Sequence, residues 1–387
     1  MKIVLAPDSF KESMTAAEAA AAMTRGVRAV LPGAICVEVP MADGGEGTTR
    51  ALVAALGGRY EDVATLDALG RPCDAVIGNL GDGRAVIEVA AAVGIERIPP
   101  EQRDPLRSDS RGVADLIRHA LDFGADHLIV GLGGSATNDA GAGLLVGLGA
   151  RLLDRHGAPL APRPVDLHRV VDVDLSGLDP RLARTRIELA CDVSAPLLGP
   201  TGATAVFGTQ KGAGPTDLAT LEQGLTAWAD ALESRRGRRY RDVPGAGAAG
   251  GLGYALLALG AIPRSGVDVV MEAVGLDRQL QDADLVLTGE GALDAQTLTG
   301  KTPAGVAACA RRHGVPVLAF AGRVSLDADV LLQHGFTAIV PILHELSDLP
   351  SALAGGARNL ETATATALRI LGLGRALNAG QARSTKL

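Results

Sequence analysis

Short, β-branched, near-continuously apolar runs alternate along the whole chain with alanine- and leucine-rich stretches of helical period. Residues 3–6, 35–39, 127–132, 187–190, 285–288, 315–319 and 338–341 predict strands. Residues 15–30, 47–56, 112–123, 140–148, 216–234, 303–313, 326–334 and 349–371 predict helices. Strands without a polar face are covered on both sides, as in parallel sheets flanked by helices, so the class is α/β. One segment breaks the rhythm. Between residues 60 and 91 several short extended pieces are punctuated by Gly70-Arg71-Pro72 and Gly81-Asp82-Gly83, with no helix between them. That pattern predicts hairpins in a second, mixed domain.

The two ends of the chain share a β-α style. The expected architecture is two α/β domains: a discontinuous Rossmann-like domain with a parallel sheet from residues 1–69 plus 281–375, and a mixed α/β domain, 70–280, inserted into it. Residues 376–387 read as a flexible tail.

Composition narrows the function. The 387 residues carry a net charge of -7 and only 2% aromatics, which argues against a nucleic-acid binder. The start Met-Lys-Ile-Val-Leu-Ala-Pro has too short an apolar stretch for a signal peptide. The longest uncharged stretch, 243–263, holds six glycines and two prolines, so it reads as a glycine loop entering a buried helix rather than a membrane span. Cys36, Cys73, Cys191 and Cys309 lie far apart, which predicts neither a zinc site nor a disulfide framework and makes the cytoplasm the simplest compartment. Only five of the 37 basic residues are lysines: Lys2, Lys11, Lys211, Lys301 and Lys386. Where arginine is the default cation, a lysine can mark selective use of a compact ammonium.

Four clusters follow predicted strands, at the carboxyl edge where open α/β sheets bind ligands. Pro7-Asp8-Ser9-Phe10-Lys11-Glu12-Ser13 packs a carboxylate, two hydroxyls and a scarce lysine together, suited to a small polar substrate. Asp43-Gly44-Gly45-Glu46-Gly47-Thr48 offers backbone amides ahead of a helix N-terminus, which favours an anion. Gly131-Leu132-Gly133-Gly134-Ser135-Ala136-Thr137-Asn138-Asp139 lacks both the acidic ribose reader of a dinucleotide fingerprint and a Gly-Lys-Ser/Thr, but its hydroxyls and amides match phosphate oxygens. In the fourth, Thr288 to Thr302, Gly300-Lys301-Thr302 falls too far after the strand for a P-loop. Glu290 and Asp294 there read as two carboxylates in a glycine-rich turn, able to hold Mg²⁺ or to be solvated. Asp192, ending an apolar strand, is a candidate general base or metal ligand, and Gln210-Lys211-Gly212-Ala213 carries another lysine. No histidine falls in these clusters and no Gly-x-Ser-x-Gly elbow occurs. Such an inventory suits phosphoryl transfer, where catalysis is mostly positioning and charge stabilisation.

Pro7-Asp8-Ser9-Phe10-Lys11, Ala42 to Thr48, Gly133 to Asp139, Gln210-Lys211-Gly212-Ala213 and Thr288-Gly289-Glu290-Gly291 together resemble the motifs of the type-1 glycerate kinases, in order and up to about residue 372. Two positions depart from the family habit: Glu12 stands where Lys-Gly-Ser is common, and Ala140 where Asn-Asp is often followed by two glycines. The resemblance implies ATP-dependent phosphorylation of D-glycerate with Mg²⁺, with 2-phosphoglycerate as the expected product. With loop position, it assigns Lys11 and Asp192 catalytic roles and gives the substrate Asp8, Ser9, Asp43, Gly44, Gly45 and Glu46. The ATP phosphates are assigned to Gly133, Gly134, Ser135, Thr137, Asn138 and Lys211, and the metal to Asp192, Glu290 and Asp294. The expected partner is a small molecule, neither nucleic acid nor membrane, and a homodimer is allowed. A nucleotide-dependent oxidoreductase of a small hydroxy acid and a non-catalytic two-domain binding protein are the competing readings.

Overall fold

The computed structural model describes residues 1–298 and 300–384. Among them run fourteen strands: β1 (Lys2–Leu5), β2 (Ile35–Glu38), β3 (Arg59–Leu66), β4 (Pro72–Gly81), β5 (Arg84–Glu88), β6 (His127–Gly131) and β7 (Arg151–Leu153). These are followed by β8 (Pro159–Leu160), β9 (Asp172–Asp174), β10 (Arg186–Ala190), β11 (Ile262–Arg264), β12 (Leu285–Leu293), β13 (Val317–Val324) and β14 (Ala338–Pro341). The chain divides into two compact units, the first of residues 1–43, 50–55 and 270–387, the second of residues 44–49 and 56–269.

Unit 1 is a five-stranded sheet in the order β14-β13-β12-β1-β2, every pair parallel. β1, the first five residues of β12 and the first five of β13 are almost wholly buried, which is why they read as uninterrupted apolar runs. The helix Ala16–Arg28 opens on a capping box, Thr15 and Glu18 exchanging hydrogen bonds with each other's backbone amides. It packs on the helix Gly356–Ser384, where Gly26 meets Glu361 and Thr364 too closely for any side chain.

Unit 2 is built on a six-stranded mixed sheet, β11-β10-β6-β5-β4-β3. β11, β10, β6 and β5 pair in parallel, and β5-β4-β3 is the antiparallel part expected from the hairpin signals. A small antiparallel sheet, β8-β7-β9, belongs to the same unit. Its core includes the fully buried Trp228, whose indole donates to Ala140 O at 3.1 Å, and Tyr254, whose hydroxyl donates to Ala229 O at 3.2 Å.

Five differences from the sequence expectation stand out. Residues 56–69 belong to unit 2 because β3 pairs along its length with β4. β12 does not turn after Thr288: it pairs with β13 out to Leu293, so Glu290 stands on a strand. Residues 326–334 form tight 3₁₀ turns rather than an α-helix, and residues 349–371 split into Leu349–Ala354 and Gly356–Ser384 around Gly355. Residues 376–384, expected as tail, continue that last helix, and residues 385–387 lie outside the described residues.

Candidate functional site

In unit 1 the carboxyl ends of β1 and β12 gather acids. Asp8 follows β1, with its amide donating to Gly289 O. Its carboxylate accepts from the Ser9 amide at 2.6 Å and from the Thr302 hydroxyl at 2.5 Å. Gly289 is required here, because a side chain would collide with the Phe320 carbonyl of β13 and with the Phe10 ring. Glu290, one residue further along β12, accepts from Thr297 Oγ1 at 3.1 Å and lies 3.5 Å from Lys301 Nζ, which is also 3.8 Å from Asp294 Oδ1. Burial pushes the Asp8 carboxyl up to about 7, and the nearby Asp43 and Glu290 add to the shift while the Thr302 and Ser9 donors oppose it. Burial likewise raises Glu290 to about 7, against the pull of Lys301 and Thr297. Asp8, Asp43, Glu290 and Asp294 thus outnumber Lys301, a surplus of negative charge that calls for a cation, a proton or hydroxyl donors. Asp294 Oδ1 is buried without a hydrogen-bond partner. Lys11 is exposed on the loop after β1, where Glu12 holds a left-handed φ of 62°.

Unit 2 presents a different chemistry at the carboxyl ends of β6 and β10. The Gly44-Gly45 turn passes close to both strands: a side chain at Gly131 would strike Gly44 O, one at Gly133 would lie 3.1 Å from Gly45 Cα, and one at Gly44 would strike Ala190. Glycine here allows close backbone approach. The helix N-terminus that follows is not left open for a ligand. Glu88, at the end of β5, accepts from the Thr49 amide at 2.7 Å and the Gly47 amide at 3.3 Å, so the protein supplies its own anion there. Burial raises the Glu88 carboxyl.

Gly133 and Gly134 are exposed, while Ser135, Thr137, Asn138 and Asp139 are buried behind them. Lys211 is buried too: its ammonium donates to Ser135 Oγ at 3.0 Å and to Thr137 O at 2.7 Å. Burial brings its pKa down to about 7, with Asp139 opposing the shift. Asn138 donates to Thr204 Oγ1 at 3.0 Å. Asp139 collects the amides of Ser110, Gly141 and Gly143 and the Ser110 hydroxyl, at 2.7–3.0 Å, and burial still raises it to about 6. Asp192 is exposed after β10, its Oδ1 accepting from the Gly266 amide at 3.3 Å.

Unit 1 therefore brings together Asp8, Ser9, Asp43, Glu290 and Asp294, and unit 2 brings Gly44 and Gly45 beside Gly133, with Ser135, Thr137 and Lys211 in one buried group. Sequence reasoning missed Thr302, Thr297 and Glu88 as partners of these groups. It also left the glycine stretch 245–260 without a role. Ala249, Gly250 and Gly251 are all left-handed there, Gly250 O accepts from the Ala140 amide, and Gly250 presses against Thr137 and Asn138 where no side chain fits. The stretch is a backbone mould for the hydroxyl loop.

The α/β fold is that of a phosphotransferase class, shown by the family match and the relatives that follow. The chain matches the Glycerate kinase family over residues 3–372. It is 49% identical to a glycerate kinase of Bacillus subtilis (strain 168), covering 93% of this chain and 95% of that one. It is 44% identical to the glycerate 2-kinase of Escherichia coli (strain K12), covering 97% and 99%. A crystal structure described as glycerate kinase 2 of Salmonella typhimurium LT2 superposes with a TM-score of 0.88 at 44% identity, over 97% of this chain and 99% of that one. The chain belongs to the glycerate kinase family. Among the described residues no helix is long and apolar enough to cross a membrane.

Proposed function

We propose that this kinase transfers the terminal phosphoryl group of ATP to the 2-hydroxyl of D-glycerate, giving 2-phosphoglycerate and ADP. The acid cluster of unit 1 carries the reading: Asp8, held by Thr302 and the Ser9 amide beside Asp43 and Glu290, is raised to about 7, where a carboxylate is matched to exchange a proton with a substrate hydroxyl near neutral pH. The choice of the 2-hydroxyl is supported by the relative named glycerate 2-kinase, which is aligned over nearly the whole chain.

Asp8 takes the hydroxyl proton as the oxygen attacks phosphorus, the new O–P bond forms, and the bond to the leaving ADP oxygen breaks. Thr302 and the Ser9 amide hold the Asp8 carboxylate in place. Ser9 and Asp43 read the substrate hydroxyls, and Lys11 attracts the glycerate carboxylate. In unit 2 the exposed Gly133-Gly134 turn receives phosphate oxygens on its backbone amides, while Gly44, Gly45 and Glu46 are assigned to the substrate. Lys211, Ser135, Thr137 and Asn138 stiffen that turn from behind. Asp192 is the other carboxylate able to accept the proton.

The oxygen-only donor set of Glu290 and Asp294, in which the buried Asp294 Oδ1 accepts no hydrogen bond and has only the Lys301 ammonium 3.8 Å away, fits Mg²⁺. Bound there, Mg²⁺ would neutralise charge on the phosphates.

A coupled ADP-release assay with D-glycerate, followed by phosphorus NMR of the product, tests the reading. ADP formation with a 2-phosphoglycerate signal is expected; 3-phosphoglycerate would overturn the hydroxyl assignment, and nicotinamide reduction without ADP would overturn the kinase. A fall in turnover of about 100-fold or more for Asp8→Asn, with a milder effect for Asp192→Asn, assigns the proton to Asp8, and the reverse order assigns it to Asp192.

A further inference from the structure

Away from both loop clusters, unit 1 gathers three different metal-binding side chains on two short helical segments. Cys309 and His313 stand four residues apart at the end of the helix Thr302–Arg312, and so share one of its sides. The helix Leu276–Leu280 places Asp277 against them. Asp277 Oδ1 lies 2.9 Å from His313 Nε2 and 3.8 Å from Cys309 Sγ, and the three donor atoms lie within 4.8 Å of one another. Cys309 is buried, His313 half-buried and Asp277 exposed, so the soft ligand lies innermost in the group and the carboxylate outermost.

We propose that Asp277, Cys309 and His313 form a binding site for a borderline-soft divalent transition-metal ion, Zn²⁺ being the ion it fits best. One thiolate, one imidazole and one carboxylate are the ligand types that Zn²⁺ combines, and three protein ligands leave a fourth position for water. The spacing agrees. With Zn–S of about 2.3 Å and Zn–O of about 2.1 Å, tetrahedral geometry sets sulfur and oxygen about 3.6 Å apart, close to the observed 3.8 Å. The nitrogen–oxygen pair needs to open from 2.9 Å to about 3.4 Å, a small rotation of an exposed aspartate. Mg²⁺ has no use for the thiolate or the imidazole.

Arg312 bears on the same place. Its guanidinium lies 3.3 Å from Cys309 Sγ and 3.5 Å from Asp277 Oδ1, and the side chain is largely exposed. A positive charge already lies against the thiol and the carboxylate, so a metal ion competes with it. Once bound, the ion clasps the C-terminal end of the helix whose first residue, Thr302, holds Asp8.

The test uses the full-length, tag-free protein after chelator treatment, titrated with Co²⁺ as the spectroscopic probe. One equivalent should bind with a thiolate-to-cobalt charge-transfer band, and Zn²⁺ should displace it whereas excess Mg²⁺ should not. Cys309→Ala should abolish the band. His313→Asn and Asp277→Asn, both nearer the surface, should each weaken binding about tenfold or more, and Arg312→Ala should strengthen it. Absence of the band in the wild type, or a band surviving Cys309→Ala on Cys36, Cys73 or Cys191, overturns the proposal. If Cys309→Ala does not fold, unchanged affinity in His313→Asn overturns it instead. ADP release by the Mg²⁺-supplied enzyme is measured separately, so failure here leaves the kinase reading untouched.

Discussion

The carboxyl ends of β1, β2 and β12 in unit 1 and those of β6 and β10 in unit 2 occupy equivalent positions on two parallel ladders, yet they solve opposite electrostatic problems. Unit 1 concentrates charge of one sign: four carboxylates face one lysine, and two of them are pushed toward neutrality. Unit 2 exposes glycine backbone, keeps its lysine inside, and uses that lysine to brace the loop rather than to meet solvent. Proton handling needs titratable groups poised near neutral pH, while phosphate binding is served by fixed backbone dipoles that need no titration. The difference is chemical rather than topological.

The comparison breaks most visibly at Gly250. Gly250→Ala would force a left-handed alanine into Thr137 and Asn138, so the account expects a loss of about 3 kcal/mol or more in unfolding free energy and a large rise in KM for ATP. Urea unfolding and ATP kinetics check it; near-normal values would remove the moulding role of the glycine stretch.

Lys211→Met sharpens the distinction between bracing and direct binding. At pH 9 the variant should be less stable by about 1–3 kcal/mol, because Ser135 Oγ and Thr137 O lose their donor. The lysine has a folded pKa below its unfolded value, so its contribution is full above about pH 10 and fades as the pH falls through about 7. The stability deficit of the variant should therefore shrink between pH 9 and pH 6. A constant deficit across that range contradicts a buried, hard-to-charge lysine.

The smallest expected effect is a gain. Glu12 and Ala140 hold left-handed φ values of 62° and 47°, a backbone conformation that favours glycine. Exposed Glu12→Gly should stabilise the fold by about 0.5–1 kcal/mol, read as a higher urea midpoint, with turnover little changed. Ala140→Gly should gain less, because its methyl group is fully buried in the core of unit 2.

Much of this was legible in the chain. The sequence pattern places β1, β2, β6, β10 and β14 within a residue of their ends, and the buried runs that open β12 and β13 are apolar because helices cover both faces, but both strands run on beyond those runs and the short, exposed β11 carries no such signal. The acids after β1 and β12 and the hydroxyls after β6 were visible for the same reason: polar residues crowd where an apolar strand ends. What stayed hidden depends on long-range pairing. Thr302 reaches Asp8 across 294 positions of sequence. Glu88 claims amides 39 and 41 positions away. Glu290 looked like a turn residue because two glycines flank it, yet those glycines continue a strand, with Gly289 fitting against Phe320. Lysine scarcity did point to Lys211, but only the packing shows that its ammonium is turned inward.

The central claim, that the unit 1 acids handle the proton, is tested most directly by the pH dependence of kcat/KM for D-glycerate in the wild type and in Asp8→Asn. Asp8 must be ionised to accept the proton, and its pKa is raised to about 7, so wild-type activity should climb as the pH rises through about 7. In Asp8→Asn the rate should fall about 100-fold or more and that limb should vanish or move, with KM for ATP unchanged. An unaltered limb in the variant would contradict the account.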